Sequence, residues 1–297
     1  MQSIRRRLAN RRANETFDIE VSALKFTATI GRFEDGGSYV LTVGQFLEDM
    51  YYPFRNPDTG QATICSGASS AVTSLSRQIV YLRPSQFVVY DRSGICDASL
   101  DQYLAFHFPA NPVEVTAPAP GLHRFDVNPG QFAGSMTIIL PANASTVTTS
   151  QLSSDTTVWN KVWRTEIRPT DARAATRRWM TVFDLAPSSG QIAAATAVNM
   201  VSGPAVGTLL QASTGNSVVI SGTAPAGTAI AGPVSYVVPA AQTRHVITDL
   251  ALSTGYTISI VSSGGNHTVS IVQGGSSVAS ANGVLTFQVS AAGQVTP

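Results

Sequence analysis

Apolar and polar residues alternate with a period of two from Phe17 onward, which is the pattern of strands that bury one face. Two such runs occur in DIEVSALKFTATIGRF, and GSYVLTV continues the pattern after an acidic turn, which predicts a hairpin. The strongest case is RQIVYLRPSQFVVYDRS, where two β-branched and aromatic runs are joined by Arg83-Pro84-Ser85. This pattern predicts a second β-hairpin over residues 77–93.

Short runs of the same kind recur as far as the C-terminus, with Gly, Pro, Asn or Ser in nearly every interval between them. They are LDQYLAFHF, GLHRFDV, GSMTIILP, VWRTEIRP, RRWMTVFDLA, SVVISG, PVSYVVP, TRHVITDL, GYTISIVS, HTVSIVQG and GVLTFQVS. Many short strands at this spacing indicate an all-β fold, an antiparallel β-sandwich. Helix propensity is present in QFLEDMYY and in IAAATAVNM, where we expect at most a turn or a short helix.

The chain divides into three segments by pattern. Residues 1–16 form a basic arm with five arginines before Glu15, which we interpret as a solvated terminus or as a contact for nucleic acid or anionic lipid. Residues 17–200 are expected to form a large sandwich and residues 201–297 a smaller one. The Ala-, Gly-, Ser- and Thr-rich stretch 186–233 would connect the two, or would supply outer strands of one stack.

Composition narrows the functional classes. Apolar residues make up 43% of the 297 residues and charged residues 12%, with a formal net charge of +1. These values exclude a disordered chain, and they exclude the overall positive field of a dedicated nucleic-acid binder. No apolar run has the roughly 18–20 residues that a membrane-spanning helix needs. Lysine is rare and Ser, Thr and Gln supply the polarity, which favours a secreted or periplasmic protein, although the N-terminal residues lack a signal sequence.

Cys65 and Cys96 are the two cysteines of the chain. They lie on either side of the predicted hairpin in loop-like stretches, so a disulfide and two buried free thiols are both consistent with the sequence. A bridge closing this loop would stabilise the fold by about 3.7 kcal/mol in the chain-entropy model.

Candidate catalytic residues are few. His107 ends a predicted strand and Asp91 ends another, and an aspartate that orients a histidine is common in catalytic sites. The alternatives are a buried histidine with one hydrogen bond and a structural ion pair of Asp91 with Arg92. Tyr52 lies beside acidic residues, where its hydroxyl would hydrogen-bond a sugar or its ring would pack in the core. The four histidines lack the spacing of metal ligands, so no metal site is predicted, and the sequence leaves the cofactor unknown.

An aromatic and basic cluster occupies residues 159–179. It includes Trp163, Arg164, Arg178 and Trp179, and we interpret it as a surface for an acidic polysaccharide because arginine forks match carboxylates. The alternative is that the tryptophans belong to the core. Serine-hydrolase and nucleotide-binding motifs are missing from the sequence.

The segment RQIVYLRPSQFVVYDR resembles a strand pair in the C-terminal β-sandwich of heparinase II/III-like polysaccharide lyases. WRTEIRPTDARAATRRWMTVFDL, QTRHVITDLALSTGYTISI and ANGVLTF are similar to later strands of that sandwich, in the same order. The resemblance implies an acidic polysaccharide as ligand. It also implies a helical toroid that supplies the main catalytic residues of those lyases, and neither that toroid nor their His-rich segment is present in this sequence.

Three hypotheses follow from these patterns. The first is a lyase-type sandwich module that acts as a scaffold or contacts an acidic glycan, with a helical toroid on a separate chain. The second is a free-standing extracellular structural protein that self-assembles into a homo-oligomer. The third is a complete small enzyme with a cleft at His107.

Overall fold

The computed structural model describes residues 15–21, 24–32, 39–46, 72–117, 119–127, 133–151, 162–187, 191–213 and 215–297; for residues 15–46 this description covers the backbone. Within these ranges the chain forms four β-sheets and no α-helix. The predicted all-β sandwich class is therefore confirmed. No helix in the described part of the chain has the length and apolar character to cross a membrane.

The largest sheet has nine antiparallel strands. In spatial order they are β1 (Glu15–Val21), β2 (Leu24–Arg32), β3 (Tyr39–Phe46), β4 (Val72–Leu82), β5 (Gln86–Ile95), β12 (Thr176–Ala186), β9 (Ala133–Leu140), β8 (His123–Val127) and β7 (Val113–Val115). The hairpin predicted over 77–93 is confirmed, with β4 and β5 joined by a turn at residues 83–85. A small sheet contains β10 (Ser145–Gln151), β11 (Val162–Arg168) and β6 (Leu104–Phe108).

The C-terminal part forms two more sheets. The six-stranded sheet contains β13 (Ala194–Ala197), β15 (Ala205–Ala212), β16 (Gly215–Gly222), β18 (Thr243–Ile247), β22 (Leu285–Val289) and β23 (Val295–Thr296). The five-stranded sheet contains β14 (Asn199–Ser202), β17 (Val234–Pro239), β20 (Asn266–Gln273), β19 (Gly255–Ser263) and β21 (Ser277–Val278). β16 and β18 pair in parallel, while the other pairs are antiparallel.

Three buried apolar clusters set the order of the layers. One joins the three-stranded sheet to the nine-stranded sheet through Phe108, Ile167 and Trp179. The second joins the nine-stranded sheet to the six-stranded sheet, and the third joins the six-stranded sheet to the five-stranded one. The six-stranded sheet is therefore covered on both faces, because successive residues such as Val218 and Val219 belong to different clusters.

The expected short helix in IAAATAVNM is wrong, because this segment forms strands β13 and β14. Ala195 is buried in the cluster between the nine-stranded and six-stranded sheets, and Val198 in the cluster between the six-stranded and five-stranded sheets. Packing therefore overrides the helix propensity of the alanines. The predicted boundary after residue 200 lies inside β14, and the division into two sandwiches stays a prediction. The helical turn expected in QFLEDMYY lies outside the described residues except for Gln45 and Phe46, which end β3. The basic arm lies outside them except for Glu15 and Thr16, which begin β1.

The nine-stranded and six-stranded sheets are also joined by a buried ion pair. The Arg92 guanidinium donates to Asp249, with Nη1 3.0 Å from Oδ2, and the side chains are 6% and 9% exposed. Arg92 also donates to the carbonyl of Ala224, and the amide of Gly222 donates to Asp249 Oδ2 at 3.0 Å. Tyr90 donates to the Gly222 carbonyl at 2.9 Å. This network anchors one end of the interface between the two sheets.

Candidate functional site

The outer face of the three-stranded sheet carries the described surface that best fits the predicted chemistry. In β11, Trp163, Thr165 and Ile167 point one way, so Arg164, Glu166 and Arg168 point the other way, because side chains alternate along a strand. The residue across the sheet from Arg164 is His107, which is exposed. We call Tyr103, His107, Arg164, Glu166 and Arg168 the arginine–tyrosine face.

Tyr103 is the centre of this face. Tyr103 is 43% exposed, and the centroid of its ring lies 4.4 Å from the Cζ of Arg168 and 5.4 Å from the Cζ of Arg164. Arg164 Nη2 also donates to the Tyr103 hydroxyl at 2.9 Å. The two Cζ–centroid distances lie within the range of cation–π interactions.

Glu166 lies between the two arginines on the same strand. Its Oε1 is 2.6 Å from Arg164 Nη2, and its Oε2 accepts from Arg168 Nε at 2.9 Å. The Glu166 side chain is 13% exposed, whereas those of Arg164 and Arg168 are 24% and 40% exposed. The carboxylate therefore lies below the surface and orders the two arginines, and the face retains one net positive charge.

An ordered pair of guanidinium groups beside an exposed ring matches the chemistry of an acidic sugar chain. Guanidinium N–H groups bind carboxylates and sulfates in a planar, two-point manner. Aromatic rings contact the apolar face of a sugar through their own apolar surface and hydrogen-bond through the hydroxyl. The exposed valine and hydroxyl side chains of β10, Val147 and Thr149, border the same face.

The four residues predicted to bind a glycan do not lie together. Trp179 is 3% exposed and is part of the core under the three-stranded sheet, and Trp163 packs against the same core. Arg178 lies on β12 and donates to the carbonyl of Thr223, on the side of the nine-stranded sheet that faces the C-terminal sheets. Arg164 alone of the four belongs to the arginine–tyrosine face.

The interpretation of the tryptophans as core residues is therefore the one the structure supports. Tyr103 and Glu166 were missed by the sequence analysis, although Arg164-x-Glu166-x-Arg168 already carries the signal, since three charged residues at alternate positions share one face of a strand.

Asp91 and His107 are not brought together. Asp91 is 2% exposed, and both its carboxylate oxygens accept from Arg77, at 2.7 Å from Nε and 3.1 Å from Nη2. Burial raises the pKa of the Asp91 carboxyl, and the hydrogen bonds and charge of Arg77 act in the opposite direction. His107 lies on the exposed outer side of another sheet, so the expected Asp–His pair is wrong. The structure assigns Asp91 to a structural ion pair.

Two other sequence-derived candidates lie outside the described residues. Tyr52 and Cys65 belong to the segment 47–71, so the role of Tyr52 and the Cys65–Cys96 disulfide stay predictions. Within the described part of the chain, no group of three or more His, Cys, Asp or Glu side chains is arranged to hold a metal ion.

Comparison with known proteins finds similarity at the level of solved structures. No protein-family model matches this sequence, and no curated protein matches it. A heparan sulfate lyase, HepC from Pedobacter heparinus, is 12% identical with a TM-score of 0.43 over 67% of this chain and 28% of that chain. A heparinase III structure is 10% identical with a TM-score of 0.37 over 70% of this chain and 27% of that chain. The chain thus spans little more than a quarter of the length of these proteins.

Proposed function

We propose that this protein is a β-sandwich module that binds an acidic polysaccharide through the arginine–tyrosine face. The observation that carries the proposal is the exposed Tyr103, whose ring lies within cation–π distance of the guanidinium groups of both Arg164 and Arg168. Both arginines are ordered by Glu166 before any ligand arrives, which lowers the entropy lost on binding. The sequence resemblance to the sandwich of heparinase II/III-like lyases agrees with this ligand class.

The proposal assigns no catalysis to this face. Elimination from a uronic acid needs a base for the C5 proton, an acid for the leaving oxygen and a group that neutralises the carboxylate. The arginines would meet the last requirement, and His107 lies across the sheet from Arg164. As a proposal, the base and acid come from a helical toroid on a separate chain, and the protein acts outside the cytoplasm, where such polysaccharides occur.

Binding of uronic-acid polysaccharides tests the proposal directly. We would titrate polygalacturonate, alginate and heparan sulfate into the purified chain by calorimetry, and repeat the titration with the double variant Arg164→Gln/Arg168→Gln and with Tyr103→Ala. We expect binding at least about tenfold weaker in both variants, because each loses charge-assisted hydrogen bonds or their stacking support.

A matched control separates this site from general charge attraction. Arg124 and Arg178 lie on the face of the nine-stranded sheet that is turned away from the three-stranded sheet, where Arg124 pairs with Asp126 and Arg178 donates to the carbonyl of Thr223. The double variant Arg124→Gln/Arg178→Gln also removes two positive charges and should bind as the unmodified chain does. Equal losses in both double variants, or unchanged binding after Arg164 and Arg168 are replaced, would refute the assignment of the face.

One observation favours the second hypothesis, a self-assembling structural protein. The five-stranded sheet exposes valines, with Val201, Val261 and Val278 59–65% exposed. Residues 187–297 contain two charged residues, Arg244 and Asp249, so little charge repulsion opposes contact between two copies there. Sedimentation over a wide concentration range checks it: a symmetric oligomer that Val261→Lys dissociates would support self-assembly, and a monomer at all concentrations would exclude it.

A further inference from the structure

A cavity of about 480 Å³ opens between the nine-stranded and six-stranded sheets. It lies at the end of their interface opposite the Arg92–Asp249 pair. On one side are the turn between β4 and β5 and the end of β12, and on the other are the starts of β16 and β18. Its volume falls within the range of about 300–1,000 Å³ that is usual for small-molecule sites.

The strand register explains why a cavity forms here. Val219 and Val246 are neighbours in the six-stranded sheet and belong to the apolar cluster against the nine-stranded sheet. Two residues earlier in each strand, the same face carries Ser217 and Arg244, with Gln288 beside Arg244 on β22. The apolar packing therefore ends at this row, and polar side chains border the space beyond it.

The lining is rich in groups that hydrogen-bond hydroxyls. Five amide side chains surround the cavity: Gln86, Gln191, Asn216, Gln242 and Gln288. Each amide offers donors and an acceptor, which suits the hydroxyl groups of a sugar or another polyol. The lining is thus mainly polar, unlike the apolar cluster between the same two sheets.

The charges in the cavity favour an anion. Arg83 and Arg244 line it together with Asp184. Asp184 is 3% exposed and already accepts two hydrogen bonds, from Ser85 Oγ at 3.2 Å and from the amide of Ala193 at 2.6 Å. Among the described residues that line the cavity, two arginines and one aspartate carry charge, so the described lining has one net positive charge.

Arg244 lies in a nearly uncharged part of the chain. Residues 187–297 contain two charged residues, Arg244 and Asp249, and Asp249 pairs with Arg92 in the interface. Arg244 lines the cavity. Burial lowers the pKa of Arg244, which indicates a guanidinium partly withdrawn from water, where its hydrogen bonds to an anion are stronger.

We propose that this cavity is a second binding site, distinct from the arginine–tyrosine face, for a carboxylate flanked by hydroxyl groups. Arg83 and Arg244 would bind the carboxylate, and the amide side chains would bind the hydroxyls. A free sugar acid and the carboxylate-bearing end of a polysaccharide both carry this chemistry, and the arms of the experiment distinguish them.

Ligand-observed NMR and calorimetry with D-glucuronate, glucose and a uronic-acid oligosaccharide test the proposal on the full chain. We expect glucuronate or the oligosaccharide to bind and glucose to bind at least about tenfold more weakly, because glucose lacks the carboxylate. Binding of glucuronate indicates a free sugar acid as ligand. The oligosaccharide is titrated into Arg164→Gln/Arg168→Gln, which lacks the two arginines of the arginine–tyrosine face, and binding of the oligosaccharide but not of glucuronate to this variant indicates a chain end. Equal binding of glucose and glucuronate, or no binding of either acid, would overturn the proposal.

Variants assign the binding to this cavity. Arg244→Gln should weaken the acid by about tenfold or more, and Asn216→Ala, which removes an amide at the rim, should weaken it by a smaller factor. Circular dichroism and urea titration check that both variants fold. Arg164→Gln/Arg168→Gln is the control and should bind glucuronate as the unmodified chain does, since it alters the other site. Loss of acid binding in that control with retention in Arg244→Gln would show that the ligand binds the arginine–tyrosine face and not the cavity.

Discussion

The Arg92–Asp249 ion pair offers the sharpest test of how the stack is held together. We consider Asp249→Asn, which keeps the size of the side chain. Asp249 has a φ of 58°, and asparagine tolerates this left-handed conformation well, so the substitution adds little backbone strain. The change is then confined to the charge and hydrogen bonds of one buried carboxylate.

The expected loss follows from the contacts. The Arg92 side chain is 6% exposed, and of its partners only Asp249 carries a negative charge; the carbonyls of Gly222 and Ala224 remain after the substitution. Removing one partner of a buried pair leaves the other as an uncompensated charge, which costs about 3–5 kcal/mol. Because the two carbonyls still accept from Arg92, we expect the lower end, about 3 kcal/mol.

Urea denaturation followed by tryptophan fluorescence measures the free energy of unfolding. Arg92→Met and the double variant complete a double-mutant cycle, in which the double variant should recover part of the loss because no lone charge remains buried. Arg173→Gln breaks the exposed Arg173–Asp101 pair, whose side chains are 59% and 61% exposed, and should change stability by less than about 0.5 kcal/mol. A loss below about 1 kcal/mol for Asp249→Asn, with no coupling in the cycle, would refute the role assigned to the pair.

Three further predictions concern acid stability, catalysis and the cysteines. Burial lowers the pKa of His245 to about 3, so between about pH 6.5 and pH 3 this histidine is protonated in the unfolded chain and neutral in the folded chain. The free energy of unfolding therefore falls as the pH drops below about 6.5, by about 2 kcal/mol at pH 5. The buried Tyr236 hydroxyl lies 2.8 Å from His245 Nδ1, so both test variants carry Tyr236→Phe to avoid leaving that hydroxyl without its partner. Urea midpoints should show the loss in Tyr236→Phe and not in Tyr236→Phe/His245→Phe. The chain alone should produce no ultraviolet absorbance from unsaturated uronate with any uronic-acid polysaccharide; a signal that His107→Ala abolishes would show that the sandwich is itself a lyase. If Cys65 and Cys96 are bridged, maleimide should label neither before reduction, and reduction should lower stability by about 3.7 kcal/mol; labelling of both in the unfolded, unreduced chain would exclude the bridge.

The strands with long β-branched and aromatic runs could be predicted from sequence, because such runs are typical of strands. β4 and β5 were placed correctly by their β-branched runs and by the turn at Arg83-Pro84-Ser85. β10 has the sequence STVTTSQ and was missed, since a polar edge strand of a small sheet carries little apolar signal. β12 is covered on both sides, so its sequence does not alternate between buried and exposed positions. Trp179 was therefore interpreted as a binding residue although it is buried.

The site could be predicted in part. The charged residues at 164, 166 and 168 share a face because of strand periodicity alone. Tyr103 joins them through the pairing of β6 with β11, a contact across 61 positions that no local pattern contains. The cavity depends on contacts of still longer range. Arg83 lies in the turn between β4 and β5 and Arg244 lies in β18, and both line the cavity because the nine-stranded and six-stranded sheets pack together.

The six-stranded sheet, covered on both faces, also has a consequence for synthesis on the ribosome. Val88 and Val246 belong to the same apolar interface but are far apart in the sequence. At about 5–20 residues per second, the strand containing Val88 leaves the ribosome roughly 10–30 s before its partner is made. During this interval the apolar face of the nine-stranded sheet is exposed to water. We therefore expect a chain truncated after residue 186 to aggregate or to require a chaperone, whereas the full chain covers this face as soon as β15–β18 emerge.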